Sequence, residues 1–167
     1  MSSEKTKKTQ EYQGFEQGPI RPPSEASSLL IRVTRNCPWN RCSFCPVYKD
    51  QRFSLRPVEH VLRDIDTVHR FIQQLEDQFS SGFSTTDLAP LTRDLDHSER
   101  MAMSSAINWI RGGKRSIFLQ DANSLIIKPD DMITILKHLQ GCFPEAERIT
   151  SYARSHTICK IKDEKLA

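Results

Sequence analysis

Apolar residues recur at three- and four-residue steps from Val58 through Val61, Leu62, Ile65, Val68, Ile72 and Leu75 to Phe79. That spacing puts them on one stripe of a helix, and Pro57 suits its opening, where a missing N–H has no intrahelical partner to lose. Upstream, Leu29–Thr34 is a short apolar, partly β-branched run that predicts a buried strand. Downstream, Ser98 predicts the N-cap of a second helix reaching about Arg111, and Gly112 with Gly113 ends it. Ser116–Leu119 predicts a second strand. Pro129 opens a helix through Met132, Ile133, Leu136 and Leu139 that closes near Gly141, and Arg148–Ala153 predicts a third strand.

Strands alternating with helices at these distances imply parallel βαβ units, so the expected fold is α/β, a partial parallel (β/α) barrel of about three βα units. Two stretches fall outside that pattern. Residues 1–28 are polar, carry Pro19, Pro22 and Pro23 and show no period, which predicts a disordered or loosely docked leader. Ser80 to His97, rich in Ser, Thr and Asp with Gly82 and Pro90, predicts a polar insertion between the first two helices. Residues 154–167 are expected to be a loop entering a helix that barely begins.

Composition narrows the class. The 167 residues are 37% hydrophobic and 27% charged, enough for one core. The net charge of +3, without a long single-sign block beyond the extreme N-terminus, disfavours a nucleic-acid binder, which concentrates basic residues on one face. No apolar run approaches the roughly 18 residues a membrane span needs, and Met1–Gln10 has no apolar signal core, so a cytoplasmic protein is expected.

Five cysteines are present, and three stand within nine residues as Cys37-Pro38-Trp39-Asn40-Arg41-Cys42-Ser43-Phe44-Cys45, a C-x4-C-x2-C spacing directly after a predicted strand. In a reducing compartment such crowding points to metal ligation before disulfides. Three thiolates on a 4Fe-4S cube leave one iron open, whereas purely electron-transferring clusters close all four positions with cysteine. A plant-type 2Fe-2S cluster uses the same spacing and would take Cys142 or Cys159 as its fourth ligand. Structural zinc would need Cys142, Cys159, His60 or His69, but zinc modules usually pair two C-x2-C elements and this chain has one.

The run Val33-Thr34-Arg35-Asn36-Cys37-Pro38-Trp39-Asn40-Arg41-Cys42-Ser43-Phe44-Cys45-Pro46-Val47-Tyr48 resembles the cluster loop of the radical S-adenosylmethionine (SAM) superfamily. The resemblance implies a (β/α)6 barrel, with Cys37, Cys42 and Cys45 holding three irons of a 4Fe-4S cluster and SAM chelating the fourth. It places Phe44 against the adenine of SAM. It sets Gln120-Asp121-Ala122-Asn123 where the family carries a Gly-Gly-Glu-like segment, so that Asp121 takes the place of the acid and Asn123 joins the cofactor site. The implied reaction is one-electron reduction of the cluster, cleavage of the SAM sulfur–carbon bond and hydrogen abstraction by the deoxyadenosyl radical, with an external one-electron reductant as partner. The first cysteine gap here is one residue longer than in most members.

In parallel barrels active sites gather at the C-terminal ends of the strands, and the cysteine loop, Gln120–Asn123 and Tyr152–Ser155 each follow a predicted strand. Asp121, Asn123, Ser151, Tyr152 and Arg154 are therefore expected to line one mouth. Six βα units need roughly 190 residues, and three strands are visible. The expectation for residues 29–167 is thus an incomplete radical SAM core with little activity alone, a truncated gene product, one half of a split enzyme or a protomer completed by a second chain. Trp39 is expected to cover the cluster, and Arg35, Arg41 and Lys49 to be solvated or to steady its charge. Trp109 and Ile110 read as core, and His69 as packing or surface. His60, His97, His138 and His156 show no ligand spacing, Cys142 and Cys159 read as incidental, and no nucleophile–base pair for hydrolysis stands out.

Overall fold

A computed structural model describes residues 10–79, 84–162 and 164. In chain order its elements are β1 (Leu29–Arg32), β2 (Thr34–Arg35), β3 (Ser54–Leu55), α1 (Val58–Gln78), α2 (Thr85–Thr92), α3 (His97–Arg111), β4 (Ser116–Gln120), α4 (Pro129–Cys142), β5 (Arg148–Ser151) and α5 (Ser155–Ile158). Tight turns of 3-10 helix lie at Pro23–Glu25 and Ser124–Ile126. The fold is mixed α/β: β1, β4 and β5 form a parallel sheet in that order, and β2 pairs with β3 as a small antiparallel ladder. Among the described residues no helix is long and apolar enough to cross a membrane.

The two-residue period of the strands divides the sheet into two faces. Leu29, Ile31, Ile117 and Leu119 join a core with Val61, Ile65 and Ile72 of α1, Met103 and Trp109 of α3, and Ile135 and Leu139 of α4. The centre of the α1 stripe, Val61, Ile65, Val68, Ile72 and Leu75, is buried as its spacing predicts, with Val58, Leu62 and Phe79 partly buried beside it, and α1 packs on both α3 and α4. Each fully buried aliphatic or aromatic side chain adds about 1.5–3 kcal/mol, and this is the bulk of what holds helices to sheet. Leu30, Arg32, Phe118 and Gln120 alternate with these residues onto the opposite face, and the register sets Arg32 beside Gln120 at the C-terminal ends of β1 and β4.

The N-terminal stretch differs from the loosely docked leader expected for residues 1–28. Residues 1–9 lie outside the described residues, but from residue 10 the chain is fastened to the domain. Phe15 is buried in the core, and the Gln120 side chain accepts from the Gly18 N–H while donating to the Gly18 and Ile20 carbonyls. A Cβ on Gly18 would collide with the Asp121 carboxylate, so only glycine lets the backbone pass there. Sequence periodicity is blind to such docking because the partners lie about a hundred positions away.

The polar insertion expected over residues 80–97 is in part helical. Residues 80–83 lie outside the described residues; beyond them α2 starts with the Asp87 carboxylate accepting from the Ser84 N–H at 2.7 Å, one arm of a capping box. The second long helix begins two residues earlier than Ser98 suggests, because Asp96 is its N-cap and accepts from the Glu99 N–H at 2.8 Å. At the far side of the sheet β5 has no further strand partner among the described residues. An apolar groove of about 410 Å³, lined by Met132, Leu136, Phe143 and Ile149 among others, runs between α4 and that edge.

Candidate metal and cofactor site

The cysteine loop is a closed unit at the C-terminal end of the sheet. Thr34 and Arg35 pair with Leu55 and Ser54, pinning the two ends of the loop together. Inside that ladder the Asn36 side-chain amide donates to the Arg52 carbonyl at 2.8 Å and the Asn40 amide to the Gln51 carbonyl at 3.0 Å, so the loop is laced across its width. Asn36, Asn40 and Asp50 take left-handed backbone angles, which Asn and Asp tolerate better than other side chains. Cys37, Cys42 and Cys45 are all half-buried on this loop and free of disulfides.

The Cys45 sulfur has its own cradle. Hydrogen bonds from the backbone N–H of Tyr48, then of Val47 and Lys49, pull its thiol below the ordinary cysteine pKa. A thiolate is the ligating form of cysteine, and N–H donors aimed at sulfur are a recognised influence on iron–sulfur centres. The three loop sulfurs are not drawn within 4.8 Å of one another.

Phe44 lies on the loop and is 85% exposed. Trp39 is half-exposed and lies under two guanidinium groups, Arg154 at 4.2 Å and Arg41 at 5.5 Å from the ring centre. Arg35 is not solvated: it forms an ion pair with Glu16.

Asp121 sits where the strands end, yet its carboxylate is engaged by the protein. One oxygen accepts from Arg32 Nε at 2.9 Å, Arg32 Nη2 at 2.7 Å and the Asn36 N–H at 2.7 Å, while the other is buried without a hydrogen-bond partner. Burial pushes the Asp121 carboxyl up in pKa despite the attraction of Arg32. Its first effect is to fix the backbone one residue before Cys37. Asn123 is likewise committed, donating to Thr157 Oγ1 at 2.9 Å and accepting from the Arg154 N–H at 3.1 Å. Ser151 donates to the Tyr152 carbonyl, and the Tyr152 ring meets Phe118 edge to face.

Asn123 and Arg154 therefore bring the ends of β4 and β5 to the cysteine loop. The space they enclose with Pro38, Lys128, His156 and Lys160 is a cavity of about 740 Å³, within the size range of small-molecule sites. Lys128, Arg154, Lys160 and Lys162 line it against one carboxylate, Asp130, beside an apolar wall of Leu125, Ile126 and Ile127.

Glu16, which sequence reading passed over as part of the leader, ties this region together. Its carboxylate meets Arg35 at 2.6 Å, Arg56 at 2.8 Å and Arg32 at 3.1 Å. Burial pushes its pKa up, but Arg35, Arg56 and Arg32 together outweigh that and hold it below the usual glutamate range. A carboxyl depressed by folding contributes stability that is present above its unfolded pKa and is lost as pH falls through the folded value. The stability difference between the wild-type chain and Glu16→Gln, read from urea midpoints, is therefore expected to be constant above about pH 4.5 and to shrink on further acidification. A difference that grew on acidification would contradict this.

A second group of potential ligands lies elsewhere. Asp66 of α1 and His138 and Cys142 of α4 bring one ligand atom each within 4.8 Å of the others. In the sequence His138 shows no ligand spacing and Cys142 is at most a fourth ligand to the loop cysteines, although their spacing of four on a predicted helix sets them on one face. No family model, no curated protein and no solved structure matches the chain. What fold and site define together is an α/β protein with a laced, three-cysteine loop at the C-terminal end of a parallel sheet.

Proposed function

We propose that this chain is a radical SAM core domain, with Cys37, Cys42 and Cys45 holding a 4Fe-4S cluster at the mouth of a partial (β/α)6 barrel. The observation that carries the reading is the loop itself: C-x4-C-x2-C after the first strand of a parallel sheet, laced shut by the β2–β3 ladder and the Asn36 and Asn40 side chains. When bound, the cluster and SAM together supply the electron and the scissile sulfur–carbon bond from which radical chemistry begins. The chain's own residues bind and orient. Asp121 and Asn36 fix where Cys37 stands, the exposed Phe44 ring offers a face for adenine, and Arg154 and Lys128 lend positive charge to the adjoining cavity for a carboxylate. The reading calls for an external one-electron reductant and for further strands on the open β5 edge.

Anaerobic reconstitution with iron and sulfide tests it. About four irons per chain are expected, with an EPR signal in the reduced protein that changes when SAM is added, and with the iron lost on Cys42→Ala. A signal that SAM leaves unchanged would move the protein to the electron carriers, and uptake of zinc without iron would remove both readings.

A further inference from the structure

Away from the cysteine loop, α1 and α4 share a cluster that the proposed radical chemistry does not use. The helix α4 leaves the C-terminal end of β4 and ends at Cys142 before the chain turns into β5, and His138 stands one turn before Cys142. Asp66, from the middle of α1, meets them across the helix pair. His138 Nε2 lies 2.6 Å from Asp66 Oδ1 and 3.8 Å from Cys142 Sγ.

Both contacts use the same ring nitrogen, and this decides between two chemistries. A nucleophile–base–acid relay needs the cysteine on one imidazole nitrogen and the carboxylate on the other, so that a proton can pass through the ring. Here the sulfur and the carboxylate oxygen converge on Nε2, which is the arrangement of three donors around one point. In tetrahedral zinc coordination sulfur and nitrogen ligands stand about 3.6 Å apart and nitrogen and oxygen about 3.4 Å. The Sγ–Nε2 distance already matches. The His138–Asp66 distance has to open by under 1 Å, which means replacing the shared proton by the ion, and Asp66 can move because its side chain is 59% exposed. One thiolate, one imidazole and one carboxylate form a donor set for a borderline-soft divalent cation, with the solvent-open side left to water.

We propose that Asp66, His138 and Cys142 form a zinc site that clamps α1 to α4. Two helices whose contributing residues are 72 positions apart are thereby tied on the surface, outside the apolar seam that packs them. An ion held there steadies the fold and shares no ligand with the cysteine loop.

The test uses the metal-free full-length chain and measures alkylation of every cysteine by peptide mass spectrometry, with and without zinc. Zinc is expected to suppress alkylation of Cys142 while leaving Cys159, which is exposed and lies outside the cluster, unchanged. His138→Gln is expected to abolish the protection of Cys142. The loop cysteines report separately in the same spectra, so zinc captured by Cys37, Cys42 and Cys45 is not mistaken for this site. Unaltered Cys142 alkylation, equal slowing of Cys159, or protection that survives His138→Gln would each overturn the proposal. A rise in melting temperature with zinc that Asp66→Asn diminishes gives a second readout, independent of thiol reactivity.

Discussion

Asp121→Ala is expected to destabilise the folded chain by about 3 kcal/mol and to strip the reconstituted protein of most of its iron. The carboxylate is fully shielded from solvent and offsets the charge of Arg32, whose side chain is only 12% exposed. Removing it leaves that guanidinium with Glu16 as its remaining carboxylate partner and two long contacts to the Gln17 carbonyl and Asn36, and breaking a buried pair from one side costs about 3–5 kcal/mol because the remaining charge stays desolvated. The lower end applies here, since Glu16 still faces Arg32 at 3.1 Å. The second effect is local. Asp121 is the acceptor for the Asn36 N–H, and Asn36 holds a left-handed angle immediately before Cys37. Without the acceptor, the first cysteine loses its fixed position relative to the other two. Urea unfolding measures the first effect and iron content after reconstitution the second. Asp121→Asn keeps an acceptor oxygen and should retain more iron than Asp121→Ala. Equal iron in wild type and Asp121→Ala would show that the loop holds its shape unaided.

How far the sequence led to this picture depends on whether the interaction in question is local. The stripe from Val58 to Leu75 is legible because its seven members repeat a helical period, and α1 buries five of them while Val58 and Leu62 pack partly buried against the same core. The three parallel strands are legible because apolar, β-branched runs alternate with helical ones. The cysteine spacing is legible because its chemistry is written in nine consecutive residues. The β2–β3 ladder escaped notice since two residues a side carry no measurable period. Asp121 was placed correctly at the end of a strand, but not in its bond to Arg32, which follows from the register between β1 and β4. Glu16 lies 16, 19 and 40 positions from Arg32, Arg35 and Arg56, and only the folded chain brings three guanidinium groups to one carboxylate. Polar docking of this kind has no periodic trace in a sequence, so the segment that carries it was read as a leader.

The buried pair of Arg56 and Asp64 gives the other large expected effect. Arg56 Nη1 lies 2.7 Å from Asp64 Oδ2, and the two side chains are 1% and 0% exposed. The arginine also donates to the Arg32 carbonyl at 2.6 Å, while the Tyr12 hydroxyl donates to the other Asp64 oxygen at 2.8 Å. Burial pushes the Asp64 carboxyl up in pKa more than Arg56, its hydrogen bonds and Tyr12 draw it down, so desolvation is the dominant influence on this group. The pair is therefore expensive to bury and still more expensive to break. Asp64→Ala is expected to cost about 3–5 kcal/mol by leaving the guanidinium desolvated and partly unpaired. Arg56→Met with Asp64→Leu, replacing both charges by apolar groups of similar bulk, should recover much of that loss, because neither partner is then left behind. Recovery is expected to be incomplete. The double variant still removes a cation from Glu16, a donor from the Arg32 carbonyl and an acceptor from Tyr12, and the first two of these hold the N-terminal segment and the first strand to the start of α1. Urea midpoints of the two single variants and the double variant, taken as a double-mutant cycle, measure the coupling directly. An Asp64→Ala cost below about 1 kcal/mol, the level of an exposed pair, would mean that the pair is hydrated in solution and that the N-terminal segment is held by its apolar anchor Phe15 rather than by this charge network.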